Sequence, residues 1–375
     1  MAYTTIDKPS DYFDTVLYTG NAGTLNITSL DFQPDWIWGK DRSGDRHFLA
    51  DSVRGKKNTG YHLLCSNNNQ ADTSNAPPDG ITAIGSNGFT LGANLSNTDG
   101  GWSFEINESP DSGQGNSGTY VAWNWKAGTS VSGNTGGSGT AKTYTGSVNT
   151  DAGFSIIRYI GNSTAGHTIP HHLGTTPAWI ICRTISAAKE WDVYHHKLAS
   201  SPERDCIVLN TSAAAVGAST AADKWNNTLP TSSVVTLGDS SQLNTNDGTC
   251  IMYAFAEKKG YSKFGSYTGN GNADGTFIYT GFKPAWVLFK RTSSTSNWSL
   301  FDNKRNTFNI TDSYVQADTS SAEQEFSDIY VDFLSNGIKQ RGTNISLNSS
   351  GDSFIYMAFA ENPFVTSSGV PACAR

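Results

Sequence analysis

The chain has 375 residues, 38 of them glycine, with 16% charged side chains and a formal net charge of −7. That length accommodates two or three domains with cores of their own. The acidic balance argues against nucleic acid or an anionic membrane as partner, and no apolar run is long enough to span a bilayer.

Taken in order, residues 1–14 read as a polar N-terminal arm carrying Pro9, Ser10 and Asp11, without the basic start and apolar stretch of a secretory signal. A first module covers 15–128. It opens with a hairpin, Thr15 to Tyr18 and back through Thr24 to Ile27, turning at Gly20 and Asn21. A buried strand follows Pro34 through Trp36 to Lys40. Further strands are expected near Arg46 to Asp51, Tyr61 to Cys65 and Gly88 to Gly92, with a closing strand from Thr119 to Lys126. Residues 129–141 have the Gly/Ser composition of a flexible linker.

A second module, 142–258, repeats this order, with its buried strand from Pro177 to Cys182 and its closing strand from Cys250 to Glu257. A third, 262–363, follows almost without a linker and places the same strand at Pro284 to Lys290. Residues 364–375 form a short tail.

Each Pro-x-Trp strand is preceded by Tyr-x-Gly-Asn, at Tyr18, Tyr159 and Tyr267, so the chain is an internal threefold repeat. The cations after the strand are expected to end its burial. The closing strands are aligned on Ala122, Ala254 and Ala358. Short strands with turn signals every 8 to 15 residues predict an all-β protein of three tandem β-sandwich modules, jelly-roll or lectin-like. Trp36, Trp179 and Trp286 are expected between the two sheets of their own modules. The polar stretches 66–80 and 94–118 enlarge module one and read as surface insertions.

Modules two and three resemble a repeat family found in tailed-bacteriophage reading frames, often beside tail-fibre genes. The residues that carry this are His171 to Ile181 with Trp191 to His195, Gly260 to Gly275, Asp332 to Gly337 and Ala358 to Phe364. The first module fits more loosely, through Ala122 to Gly128. The resemblance implies a virion surface protein assembled in the bacterial cytoplasm: a tail or head fibre, a decoration protein, or a receptor-binding subunit. It also implies other virion proteins as partners and a homotrimer, and it carries no catalytic residue; the arm is the expected attachment point.

The residues themselves contain no Gly-x-Ser-x-Gly, Walker, His-Glu-x-x-His or EF-hand pattern. Cys65, Cys182, Cys206, Cys250 and Cys373 lack metal-binding or disulfide spacing and read as free thiols in a reducing compartment. His167, His171, His172, His195 and His196 cluster in module two. Neighbours in a strand point to opposite faces, so no metal site and no cofactor is expected from them.

Asp51 and Asp302 occupy matched positions and raise acid/base hydrolysis of a host glycan as a lesser alternative; a turn role is the simpler reading. Asn97 to Gly100 reads as a turn before it reads as a calcium loop. Outside the repeated strands, Trp102 and Trp225 are the aromatics placed to stack on a sugar, with burial under a loop as the competing reading. Two roles therefore stand against each other: host adhesion through a surface glycan or protein, and decoration of the particle.

Overall fold

In the computed structural model, described for residues 3–57, 59–72, 80–93, 106–110, 118–217 and 222–373, 44% of the chain is strand and 4% helix. All strand ladders between the named strands are antiparallel, and they form three modules, each built on a larger and a smaller sheet, with a further two-stranded ribbon, Lys56–Lys57 with Gly60–Tyr61, in module one. In module one the larger sheet has the order Phe13–Thr19, Thr119–Trp125, Trp36–Asp41, His47–Asp51. The smaller has the order Leu25–Ile27, Gly88–Leu91, Ile81–Gly85. Both later modules contain the four-strand order of the large sheet, each with its Trp strand beside its closing strand; module three also repeats the small sheet, whereas that of module two has the order Gly136–Gly137, His167–Pro170, Val234–Leu237.

The Trp strands are buried on both faces, and alternation divides their side chains between two cores. Ile37, Ile180 and Val287 point toward their own module's small sheet and join three separate sandwich cores. Trp36, Trp179 and Trp286 point the other way. They do not fill the gap within their modules; all three enter one cluster, with Trp38, Trp123, Trp125, Trp191 and Trp298, that belongs to all three modules together. Trp36 stacks on Tyr253 of module two at 4.6 Å, Trp125 meets Trp286 of module three at 5.6 Å, and Trp179 meets Trp298 at 6.0 Å.

Hydrogen bonds close this arrangement into a ring. Trp191 Nε1 of module two donates to the Cys65 carbonyl of module one at 2.7 Å, and Trp298 Nε1 of module three to Val208 of module two at 3.0 Å. In module one the matching residue is His47. Its Nδ1 accepts from Trp38 Nε1 at 2.9 Å, so Nε2 carries the proton and donates to Gln316 of module three at 3.0 Å. Each module thus holds the one before it, and the first holds the third.

Several sequence expectations need correction. The cations after the Trp strands do not end the burial: Lys40, Arg183 and Lys290 are 0% exposed. Lys40 Nζ donates to the carbonyls of Asp41, Gly44 and Asp45, Arg183 to those of Asn68, Asn69 and Gln70, and Lys290 to Ser212 and Ser296. The closing strands align two residues later than Ala122 implied. Trp36 faces Trp125, Trp179 faces Phe255 and Trp286 faces Phe359, so Asn124 is the counterpart of Ala254 and Ala358.

The Gly/Ser stretch is not a loose linker. Thr129–Asn134 pairs with Thr143–Asn149, adding two strands to the large sheet of module two, and Gly136–Gly137 pairs with His167–Pro170. The arm is also docked. Thr4 Oγ1 donates to Lys259 at 2.8 Å, Tyr3 OH to Gly281 at 2.7 Å, Ile6 enters the shared core, and Phe13 already begins a strand. The first insertion starts inside a seam, where Ser66 Oγ donates to Ala317 of module three at 2.7 Å.

Candidate functional site

Of the two aromatics expected to meet a sugar, Trp102 lies outside the described residues. Trp225 ends the short helix Ala222–Trp225, is 1% exposed and sits 5.9 Å from the Tyr194 ring in the core of module two, with no face for a ligand. The apolar Trp ring is consumed by packing, which a loop-like sequence around Asp223 to Asn227 does not reveal. Asn97 to Gly100 also lies outside the described residues.

The module-two histidines are dispersed into separate hydrogen bonds. His167 lies between Asn244 Oδ1 at 2.8 Å and Thr135 Oγ1 at 2.7 Å, His172 meets Tyr144 OH at 2.9 Å, and His196 meets the Phe264 carbonyl at 2.6 Å. Among the described residues no group of three or more His, Cys, Asp or Glu could hold a metal ion. The five cysteines are free thiols, four of them buried.

Asp51 and Asp302 are the centres of two inter-module clasps. The strand ending at Asp51 turns so that Asp51 Oδ1 accepts from the backbone of Val53 and Arg54, while Oδ2 accepts from Arg54 Nε at 2.5 Å. Arg54 Nη2 donates to Leu49, and Tyr253 OH of module two donates to Asp51 Oδ2 at 2.7 Å. Module three repeats this with Asp302, Arg305 and Leu300, and the donor from the neighbouring module is Trp123 Nε1 at 3.1 Å. In module two His195 and Leu198 stand at these positions. Both carboxylates are buried, each is engaged by a guanidinium, and they lie in different seams. They are structural anchors, not an acid/base pair. The Asp-x-x-Arg spacing, present twice at matched positions, was a sequence signal for them.

At each of the three seams lies a corner where the chain returns to the next Trp strand. Asp72 N donates to Ile185 of module two at 2.6 Å, Glu323 N to Arg42 of module one at 2.8 Å, and Ala215 N to Thr292 of module three at 2.9 Å. The seam between modules three and one is filled. Arg42 holds Glu323 through two bonds of 2.9 and 2.7 Å, and Arg305 Nη1 reaches the same carboxylate at 3.2 Å. The seam between modules two and three is uncharged at the matched positions Leu198, Ala215 and Thr292. The seam between modules one and two is charged and open. A cavity of about 320 Å³ is lined there by Arg54, Lys57, His62, Asp72, Arg158 and Ile185 among others.

These features define an all-β protein in which three sandwiches form one body with chemically distinct seams. The chain belongs to the family described as Domain of unknown function (DUF7483), which it matches over residues 8–363, a span that takes in all three modules. No curated protein and no solved structure matches the chain.

Proposed function

We propose that the protein is a bacteriophage virion component that contacts the host surface, as a fibre or receptor-binding subunit. The resemblance of the strings from His171 to Phe364 to phage tail-region repeats supports this reading. The observation that carries it is the outer surface of module three. Phe277, Tyr279, Phe308, Ile310, Phe326 and Ile345 are all exposed there, with Phe308 at 75%.

Phe277 and Tyr279 share the outward face of their strand, while Ile278 between them is buried. Phe308 and Ile310 flank Asn309, whose side chain pairs with Phe333 at the other edge of the same small sheet. Exposed apolar side chains gathered in one module suit contact with a protein or with the apolar face of a sugar.

Particles lacking the protein should adsorb to host cells more slowly, and the purified protein should compete with intact particles for adsorption. Normal adsorption by such particles would assign decoration in place of adhesion. Sedimentation of the purified protein tests the trimer that the resemblance implies, with a monomer as the outcome against it.

A further inference from the structure

We propose that the seam between modules one and two is a binding cleft for an anionic ligand of sugar size, engaged through a carboxylate or phosphate group. The molecule supplies its own comparison, because the same corner occurs three times. Between modules three and one, Arg305 and Arg42 face Asp302 and Glu323, two cations against two carboxylates, and every guanidinium is engaged.

Between modules one and two, Ile185 stands where Arg42 stands, and the space a guanidinium fills at the other seam is open. Among the described residues, Arg54, Lys57 and Arg158 stand there with the carboxylates of Asp51 and Asp72, three cations against two carboxylates. Arg54 Nη1 has no hydrogen-bond acceptor among the described residues. The nearest carboxylate oxygen, on Asp72, is 3.6 Å away, and His62 Nδ1 lies 3.0 Å from the other Asp72 oxygen.

Arg54 has a side chain only 1% exposed, so an unmatched donor there is costly unless an acceptor arrives. Lys57 and Arg158 lie nearer the surface, where they can meet an incoming anion. Ser186 and Thr249 add hydroxyls to the same wall, which suits a ligand carrying hydroxyl groups. A cavity of about 320 Å³ lies at the small end of the range for small-molecule sites.

The inference stands apart from the host-contact reading, which rests on module three. Loss of adsorption without anion binding would sink the cleft and leave that reading intact.

Calorimetric titration of the full chain with glucuronate and with glucose 1-phosphate, using glucose as the uncharged control, tests it. At least one anionic sugar should bind while glucose does not, and binding should weaken with added salt. Binding of glucuronate alone assigns a carboxylate, and binding of glucose 1-phosphate alone assigns a phosphate. Lys57→Gln and Arg158→Gln should each weaken binding about tenfold, as expected for a lost charge-assisted hydrogen bond, with the melting temperature unchanged. Binding by neither anion at about 10 mM, equal binding of glucose, or full affinity in both variants would overturn the proposal.

Discussion

Single residues at the seams carry an unusual electrostatic load. Lys40 and Lys290 are pushed down to about 8 by burial, and Arg183 to about 10. A base depressed in the folded state holds fewer protons than the unfolded chain between its folded and ordinary values, so stability rises with pH in that window. Unfolding by urea should show stability increasing from about pH 8 to about pH 10. Above that range Tyr18 and Tyr159, raised well above their ordinary value by burial, work in the opposite direction. Lys290→Met should flatten part of the rise.

The same logic applies in acid to His47, which burial holds well below its usual range. The unfolded chain takes up its proton near pH 6.5 and the folded chain does not, so His47 removes stability as pH falls below that value. Protonation would also set two N–H groups against each other at Trp38. Asp192 and Asp318, each raised to about 6 mainly by burial, act against this loss. The readable quantity is therefore the difference between proteins: His47→Gln, which can still accept from Trp38 and donate to Gln316, should lose less stability in acid than the parent. For the clasps, Arg305→Ala leaves the Asp302 carboxylate buried without its cation and should cost about 3–5 kcal/mol in denaturant unfolding.

At the scale of the strand, Trp286→Ala should cost about 3–5 kcal/mol, as a buried aromatic lost from a core does. Val287→Ala next to it should cost less, and its loss falls on module three alone. The strand itself was legible: the repeated Pro-x-Trp, its β-rich composition and its partner strands all emerge from the sequence. Which way the tryptophan points was not, because a strand buried on both faces has no polar side to orient it.

Trp36, Trp38 and Lys40 share a face by alternation, as do Trp179, Ile181 and Arg183. A cation at the same place in three strands signals a common buried acceptor set, not a strand end. The closing-strand offset escaped for a related reason: a shift of two residues keeps every side chain on its face, so the pattern tolerates it. The open corner beside Arg54 was illegible, since it depends on Arg158 and Ile185 from another module. Composition misled at Thr129–Asn134, where alternating Ser, Thr and Val residues form a strand despite the glycines around them.

For the molecule as a whole, a shared core makes the module a poor unit of stability. Far-ultraviolet circular dichroism and tryptophan fluorescence should report one coincident thermal transition, whereas separate melting of module one would contradict the shared core. The fold class was recoverable from strand spacing, but the ring was not, because tandem repeats on a string and tandem repeats in a circle have the same local pattern.

Closure within one polypeptide has a consequence for dilution. If the three modules were separate chains, their seams would be bimolecular contacts that dissociate as concentration falls. Here each seam forms inside the chain, at the millimolar effective concentrations typical of short tethers, so occupancy of the seams does not depend on how much protein is present. Cutting the tether should restore that dependence. A fragment of residues 1–128 mixed with one of residues 129–375 should reassemble with a measurable dissociation constant, and either fragment alone, with its tryptophan face bared to water, should aggregate. The intact chain carries its own partners at fixed supply.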